Sequence, residues 1–399
     1  MIFLFLTSGL FLGWTLGAND AANVFGSAVG SRMISFTRAA VIASVFVIMG
    51  AVIQGSGASD TLGRLGSVNA MGGAFTVALA AGLTVYFMTR AGLPVSTTQA
   101  IVGAIIGWNF FTNNAVDTGA LIQIVTTWIT GPVLGALFAF TLYHLVKITR
   151  KKIKVHLLEY ESYLRAGLMI AGAFGAYSLG ANNIANVMGV FVPSIPLDDA
   201  DFGLFTLSGA QQLFFLGSIA ISAGVLTYSK KVMQTVGNNL IELSSEAAFV
   251  VVLSQALVLF IFSSASLSGF MVRLGLPPIP LVPVSSTQVV VGAVLGIGLY
   301  KGVRNINLKV LGSIASGWIT TPVAAGLLAF ILLFFVKNLF GIDVGHSVNL
   351  SPQISKGFDF SPLVKYIIIV LLIITSAYLI YIIRKEKKST DLINKKYYD

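Results

Sequence analysis

Two kinds of short segment carry side chains that could do chemistry in this otherwise apolar chain of 399 residues. The first is Gly-Ala-Asn-Asp at 17–20, continuing to Asn23. Its counterpart is Gly-Ala-Asn-Asn at 180–183, continuing to Asn186. Asp20 is the only charge between Met1 and Ser31, and an ionisable group inside an apolar span is costly enough to read as functional. Asn19 with Asn23, and Asn182 with Asn186, stand four residues apart and share a helix face. Together with Asp20 and Asn183 they offer amide and carboxylate oxygens, hard ligands suited to hard cations rather than to transition metals. Gly17 and Gly180 are expected to let the helix unwind and free backbone carbonyls as further ligands. The alternative, hydrogen bonding between helices through the amides, explains the Asn residues better than it explains Asp20.

The second kind is Pro-Val-Ser-Thr-Thr-Gln at 94–99 and Pro-Val-Ser-Ser-Thr-Gln at 283–288. Pro94 and Pro283 should each end one helix and leave the next to start inside the membrane. Ser96, Thr97 and Thr98, like Ser285, Ser286 and Thr287, then take N-cap and first-turn positions, followed by Gln99 and Gln288. Free backbone N–H groups and hydroxyls converging on one point make an anion site. Simple capping would account for one copy, and two matched copies favour the binding reading. No Lys or Arg lies in the four segments, and each helix end supplies only about half a charge. A bound anion therefore needs co-bound cations, a physical reason for cation-coupled symport that names neither ion.

The elements that must position these residues are membrane helices. Charged residues make up 10% of the chain, 25 Lys+Arg and 15 Asp+Glu, too few to cover a soluble surface of this size. This composition excludes a cytosolic enzyme and a nucleic-acid binder. With no cysteine, and with His144, His156 and His346 at span ends or in loops, it also argues against thiolate, zinc and His-based centres. The opening apolar run lacks a basic start and continues to about Ser31, so it reads as a retained first span rather than a signal peptide. Spans are expected at 1–30, 38–56, 70–90, 117–147, 161–192, 204–228, 245–271, 306–338 and 362–383. Shorter apolar pieces are expected at 94–110 and 283–299.

The chain repeats itself once. Besides the two motifs, TTWITGPVLGAL at 126–137 returns as SGWITTPVAAGL at 316–327. The offsets are 163, 189 and 190, which one insertion of about 26 residues in the second half would explain. The basic linker holding Lys147, Arg150, Lys151, Lys152 and Lys154 should be cytoplasmic. Five crossings per half then put the N-terminus outside and the C-terminus in the cytoplasm, with 20 of the 25 Lys and Arg inside and five outside. This bias favours crossings over re-entrant hairpins at 94–110 and 283–299.

The expected fold is an all-α polytopic membrane protein with two inverted-topology repeats of about five crossings, broken or re-entrant helices, and one extra C-terminal span. Its parts are a first repeat (1–147), a basic cytoplasmic linker (148–160), a second repeat (161–340), an extracytoplasmic loop (341–361), the extra helix (362–384) and a basic tail (385–399). The extra helix has no repeat partner and reads as peripheral, against lipid or at a contact between copies in a homo-oligomer. Inverted repeats with short, Pro-interrupted segments point to a secondary transporter with its site near the midplane.

The duplicated GAND-type and PVS-T-T-Q motifs, with VGNNLIELSSEAAFVVVLSQA at 236–256, resemble the inorganic phosphate transporter (PiT) family over nearly the whole chain to about residue 340. The resemblance implies a phosphate:cation symporter of the cell membrane, working by alternating access, with sodium or protons as coupling ion. It implies that Ser96–Gln99 and Ser285–Gln288 hold phosphate, with Asp20 and Asn183 helping to place it. Asn19, Asp20, Asn23, Asn182, Asn183 and Asn186 would hold sodium. It implies no resident cofactor, and no catalytic residue is expected. Two departures matter. The family commonly has an acid in both GAND motifs, and here the second is Asn183. It often has His after PVS-T-T, and here both positions are Gln, which argues for sodium over protons. The alternatives are a proton-coupled phosphate or other oxyanion transporter, such as one for sulfate, an anion channel, and an intramembrane enzyme, for which no His or Lys in the motifs could serve as base. Glu242 and Glu246 read as solvated acids at a helix start, with an accessory cation site as the alternative.

Overall fold

The computed structural model describes residues 2–66, 68–90, 95–152, 156–203, 205–230, 233, 244–302 and 308–345. The extra span at 362–383, the basic tail, Pro94 and Glu242 lie outside them.

Twelve helices are described. In the first half they are α1 (Ile2–Gly30), α2 (Phe36–Gln54), α3 (Ser56–Leu65), α4 (Met71–Arg90), α5 (Thr97–Thr112) and α6 (Thr118–Lys152). In the second half they are α7 (Leu157–Met188), α8 (Gly209–Thr227), α9 (Ser245–Ile261), α10 (Ala265–Arg273), α11 (Ser286–Lys301) and α12 (Leu308–Asn338). In a hydrocarbon setting every backbone group must find its partner within the segment, which selects helices. Six of them are long and apolar enough to cross a membrane, or seven with the bent α9–α10 pair. At 16 residues each, α5 and α11 fall short of the roughly 20 needed to cross alone.

Three expected spans change shape. The span at 38–56 ends at Gln54, and Gly55 serves as both C-cap of α2 and N-cap of α3, a further helix that lies between the spans expected at 38–56 and 70–90. The span at 245–271 is broken: α9 and α10 meet at 67°, with Ser264 capping the new helix by accepting from the Leu267 N–H. The span at 204–228 begins only at Gly209. Residues 197–212 group as a small unit of their own, in which β1 (Ala200–Asp201) pairs antiparallel with β2 (Thr206–Leu207), Ala200 opposite Leu207.

The helices of residues 1–196 and 213–348 pack through matched glycines. Gly17 of α1 faces the Ile221 carbonyl of α8, and Gly180 of α7 faces the Val47 carbonyl of α2. Gly103 of α5 faces the Pro322 carbonyl of α12, and Gly292 of α11 faces the Pro132 carbonyl of α6. A Cβ at any of the four would collide with backbone, so each glycine permits the close helix approach that dispersion and polar contacts need in lipid. Every contact joins one half to the other, and each has its counterpart. The expected unwinding at Gly17 and Gly180 does not occur, because α1 and α7 run through both as continuous helices.

This packing also corrects the insertion. Gly50 faces the Tyr177 carbonyl as Gly224 faces that of Trp14, so Gly224 matches Gly50 at an offset of 174. The extra residues of the second half therefore fall in two places. One is the connection holding the β1–β2 ribbon, and the other is the stretch between α8 and α11 that includes the α9–α10 bend.

Candidate functional site

Ser96 and Ser285 take the capping positions the spacing predicts, but Pro283 does not end the helix before it, because α10 stops at Arg273 and an extended segment leads into Ser285. Ser96 is the N-cap of α5 in an extended conformation, its Oγ accepting the Gln99 N–H at 3.2 Å. Ser285 is the N-cap of α11, its Oγ accepting the Gln288 N–H at 3.3 Å. Each cap satisfies one of the orphan donors of its helix, and the N–H groups of the first turn ahead of it have no intrahelical acceptor. All eight residues from Ser96 to Gln99 and from Ser285 to Gln288 are buried.

The two short helices meet at these ends. The Thr98 hydroxyl donates to the Val284 carbonyl at 3.4 Å, and the Thr287 hydroxyl donates to the Val95 carbonyl at 3.1 Å. These are the same contact made once from each half. Two helix N-termini, each carrying a partial positive charge, are thereby held against one another, with hydroxyls on both.

The Asn-rich segments of α1 and α7 close around them. Asn23 Nδ2 donates to Ser286 Oγ and Thr287 Oγ1, both at 3.1 Å, and Asn186 Nδ2 donates to Thr98 Oγ1 at 2.9 Å. Each reaches the short helix of the opposite half. Asn19 and Asn182 instead hold the extended strand of their own half: Asn19 Nδ2 donates to the Val95 carbonyl at 3.0 Å, and Asn182 Nδ2 to the Val282 carbonyl at 2.9 Å. Asn182 Oδ1 also accepts the Val284 N–H at 2.7 Å, so both ends of this amide are engaged with backbone.

Asp20 is 2% exposed. Its Oδ1 accepts from Asn19 Nδ2 at 3.0 Å and from Asn23 Nδ2 at 3.5 Å, and the Ser286 and Thr97 side chains adjoin it. At the matching place in the other half, Asn183 Oδ1 accepts from Asn186 at 2.9 Å and from Thr98 at 3.4 Å. The two halves thus build related but unequal networks, around an acid on one side and an amide on the other. Gln99 Oε1, Gln288 Oε1, Asn186 Oδ1 and Asn183 Nδ2 are buried without a hydrogen-bond partner among the described residues. Buried polar atoms are seldom left so, and this concentration suits a site that takes polar ligands. The structure brings Asn19, Asp20, Asn23, Asn183 and Asn186 together with Thr97, Thr98, Ser286 and Thr287, and places Asn182 on the backbone leading into Ser285.

One reading is corrected. Glu246 is no solvated acid, being 5% exposed. It accepts from Lys147 Nζ at 2.6 Å, from Arg150 Nη1 at 2.8 Å and from the Tyr160 hydroxyl at 2.9 Å. It thereby ties the end of α6 to the starts of α7 and α9. Its cations are side chains of the chain itself. The sequence signal was the basic pair three residues apart, but nothing in it named the acid that pair would meet. The site also uses the backbone of Val95, Val282 and Val284, which sequence reading missed because any residue can supply a carbonyl.

Known proteins share this architecture. A protein of Thermococcus kodakarensis named provisionally as a phosphate permease is 28% identical, the match covering 81% of this chain and 95% of that one. Similarly named proteins of Methanocaldococcus jannaschii and Haemophilus influenzae are 29% and 26% identical, covering 82% and 83% of this chain and 95% and 96% of theirs. A solved sodium-dependent phosphate transporter superposes with a TM-score of 0.65 at 25% identity, over 84% of this chain and 99% of that one. The phosphate transporter family matches residues 16–329, which include all four motif segments. This multi-pass membrane chain belongs to the phosphate transporter family.

Proposed function

We propose that the chain is a sodium-coupled symporter that brings inorganic phosphate across the cell membrane by alternating access, with its N-terminus outside and its C-terminus in the cytoplasm. The observation that carries this reading is the meeting of two N-capped short helices, one from each half, next to a single buried carboxylate. The paired helix starts and the hydroxyls of Ser96–Thr98 and Ser285–Thr287 donate to a tetrahedral oxyanion. Asp20 can accept a hydrogen bond from hydrogen phosphate, which sulfate cannot offer.

Sodium joins through the oxygens of Asp20 and the Asn residues around it and supplies charge that the protein withholds. Asn182, bound to backbone at both ends, acts chiefly as a clamp on the Val282–Val284 strand. The motifs hold no imidazole to carry a proton, and the sodium dependence of the solved relative points the same way. Inverted halves that share one central site can expose it to either side by rocking about it.

The test is uptake of labelled phosphate into proteoliposomes holding the purified full chain. An inward sodium gradient at fixed pH should drive accumulation, and excess sulfate should not compete. Full uptake driven by a proton gradient without sodium would replace this reading with proton coupling. Flux that ignores every ion gradient would replace it with a channel.

A further inference from the structure

Gln255 lies outside the duplicated motifs, yet its carboxamide is 1% exposed, with neither Oε1 nor Nε2 hydrogen-bonded among the described residues. A buried amide with both ends unmet is costly, and α9 could carry an apolar residue there without that cost. Its position follows from the packing. Glu246, at the start of α9, meets Lys147 and Arg150 at the end of α6. Helices α6 and α11 run parallel, Pro132 opposite Gly292 and Ala136 opposite Gly296. Therefore α9 runs back along both. In that direction Val250 and Val251 share one buried cluster with Val290, Ala293 and Val294 of α11. Four residues further along α9, one turn or about 6 Å, the same register brings Gln255 to the level of Ser286–Val290. That is the first turn of α11, where Ser286 is bonded to Asn23. On its neighbouring face, Val252 and Ala256 of α9 and Val24 of α1 converge on Gly175 of α7.

We propose that Gln255 is a further ligand of the transport site, its amide oxygen coordinating the co-transported alkali cation on the Asp20 side. The proposal rests on the symport reading above. The chemistry favours a cation over the anion. Among the partnerless buried amide atoms on the site's helices, the oxygens of Gln99, Asn109, Asn186, Gln255 and Gln288 outnumber the nitrogens of Asn183 and Gln255. Asn19 and Asn23 direct their nitrogens at Asp20, which leaves that side in need of oxygen ligands held by other helices. Gln255 also accounts for asymmetry: with the acid on one side only, one side needs the extra oxygen.

The experiment compares the full-length chain with Gln255→Met, equal in length but without oxygen, and Gln255→Glu, which keeps an oxygen at the same reach. Labelled phosphate uptake into proteoliposomes is measured against external sodium at fixed pH, and against phosphate at saturating sodium. Gln255→Met should raise the sodium concentration for half-maximal uptake about tenfold, the size of one contact to a charged group, and leave the half-saturating phosphate concentration unchanged. Gln255→Glu should keep a sodium half-saturation at or below that of the parent. A sodium-dependent parent whose Gln255→Met variant keeps the parental sodium half-saturation would overturn the proposal alone. So would a variant that weakens phosphate at saturating sodium, since the amide would then serve the anion. A parent with no sodium dependence would overturn the symport reading first, and this proposal with it. Should Gln255→Met not fold, a Gln255→Glu variant with sodium half-saturation raised tenfold would count equally against the cation role.

Discussion

At the scale of one residue, the proposed sodium coupling turns on Asp20. It is the only acid in α1, it is buried, and amide nitrogens from its own helix already point at one of its oxygens. Asn is nearly isosteric and keeps those contacts possible, so Asp20→Asn removes charge and little else. The variant should fold with a melting temperature close to that of the parent. Its uptake should need about tenfold or more sodium for half-saturation and turn over more slowly, as expected for loss of a contact to a charged group. Wild-type sodium dependence in this variant would make Asp20 a structural residue. The motif positions and their hydrogen-bonding types were legible in the sequence. The division of labour among the Asn residues was not: Asn19 and Asn182 hold strands while Asn23 and Asn186 cross between halves, and only the placement of their acceptors distinguishes them.

Among the elements, the short helices α5 and α11 must be held at a fixed depth if their starts are to meet. Gly103 and Gly292 set this depth by letting each lie directly on the backbone of a long helix at Pro322 and Pro132. A branched side chain there forces the pair apart. Gly292→Val and Gly103→Val should each destabilise the protein by about 1–3 kcal/mol, the usual cost of overpacking, and weaken phosphate binding by moving the helix start. Gly269→Ala in α10, where a Cβ meets open space, should leave both unchanged. Thermal melting with and without phosphate checks all three. Equal melting temperatures for Gly292→Val and the parent would mean that the approach is not needed. The glycines are visible in the sequence, which predicts unwinding at Gly17 and Gly180. Their role as contact points appears only with the opposing helix in place.

Over the whole molecule, the halves exchange their contacts. Thr98 of the first half bonds the Val284 carbonyl of the second, and Thr287 the Val95 carbonyl of the first. One phosphate per chain should therefore sense both motifs. Thr98→Val and Thr287→Val should each weaken phosphate affinity in sodium-containing buffer. The double variant should depart from additivity by about 0.5–3 kcal/mol, as residues of one network do. Two phosphates per chain, each lost in a different variant, would replace the shared site with two separate ones.

The sequence by itself determined the membrane class, the two copies of each motif, and the capping positions at Ser96 and Ser285. Composition, repetition and the local geometry after a proline are properties of the chain before it folds. Tertiary structure decided what the motifs face. Glu246 became a buried ion pair because α6 and α7 end and begin beside it. The span at 245–271 broke at Ser264, where a cap could start a new helix at 67° to the last. Above all, each short helix docks on the long helix of the other half. The two polar starts therefore meet at one point, a relation between residues 186 and 192 positions apart that no local pattern encodes.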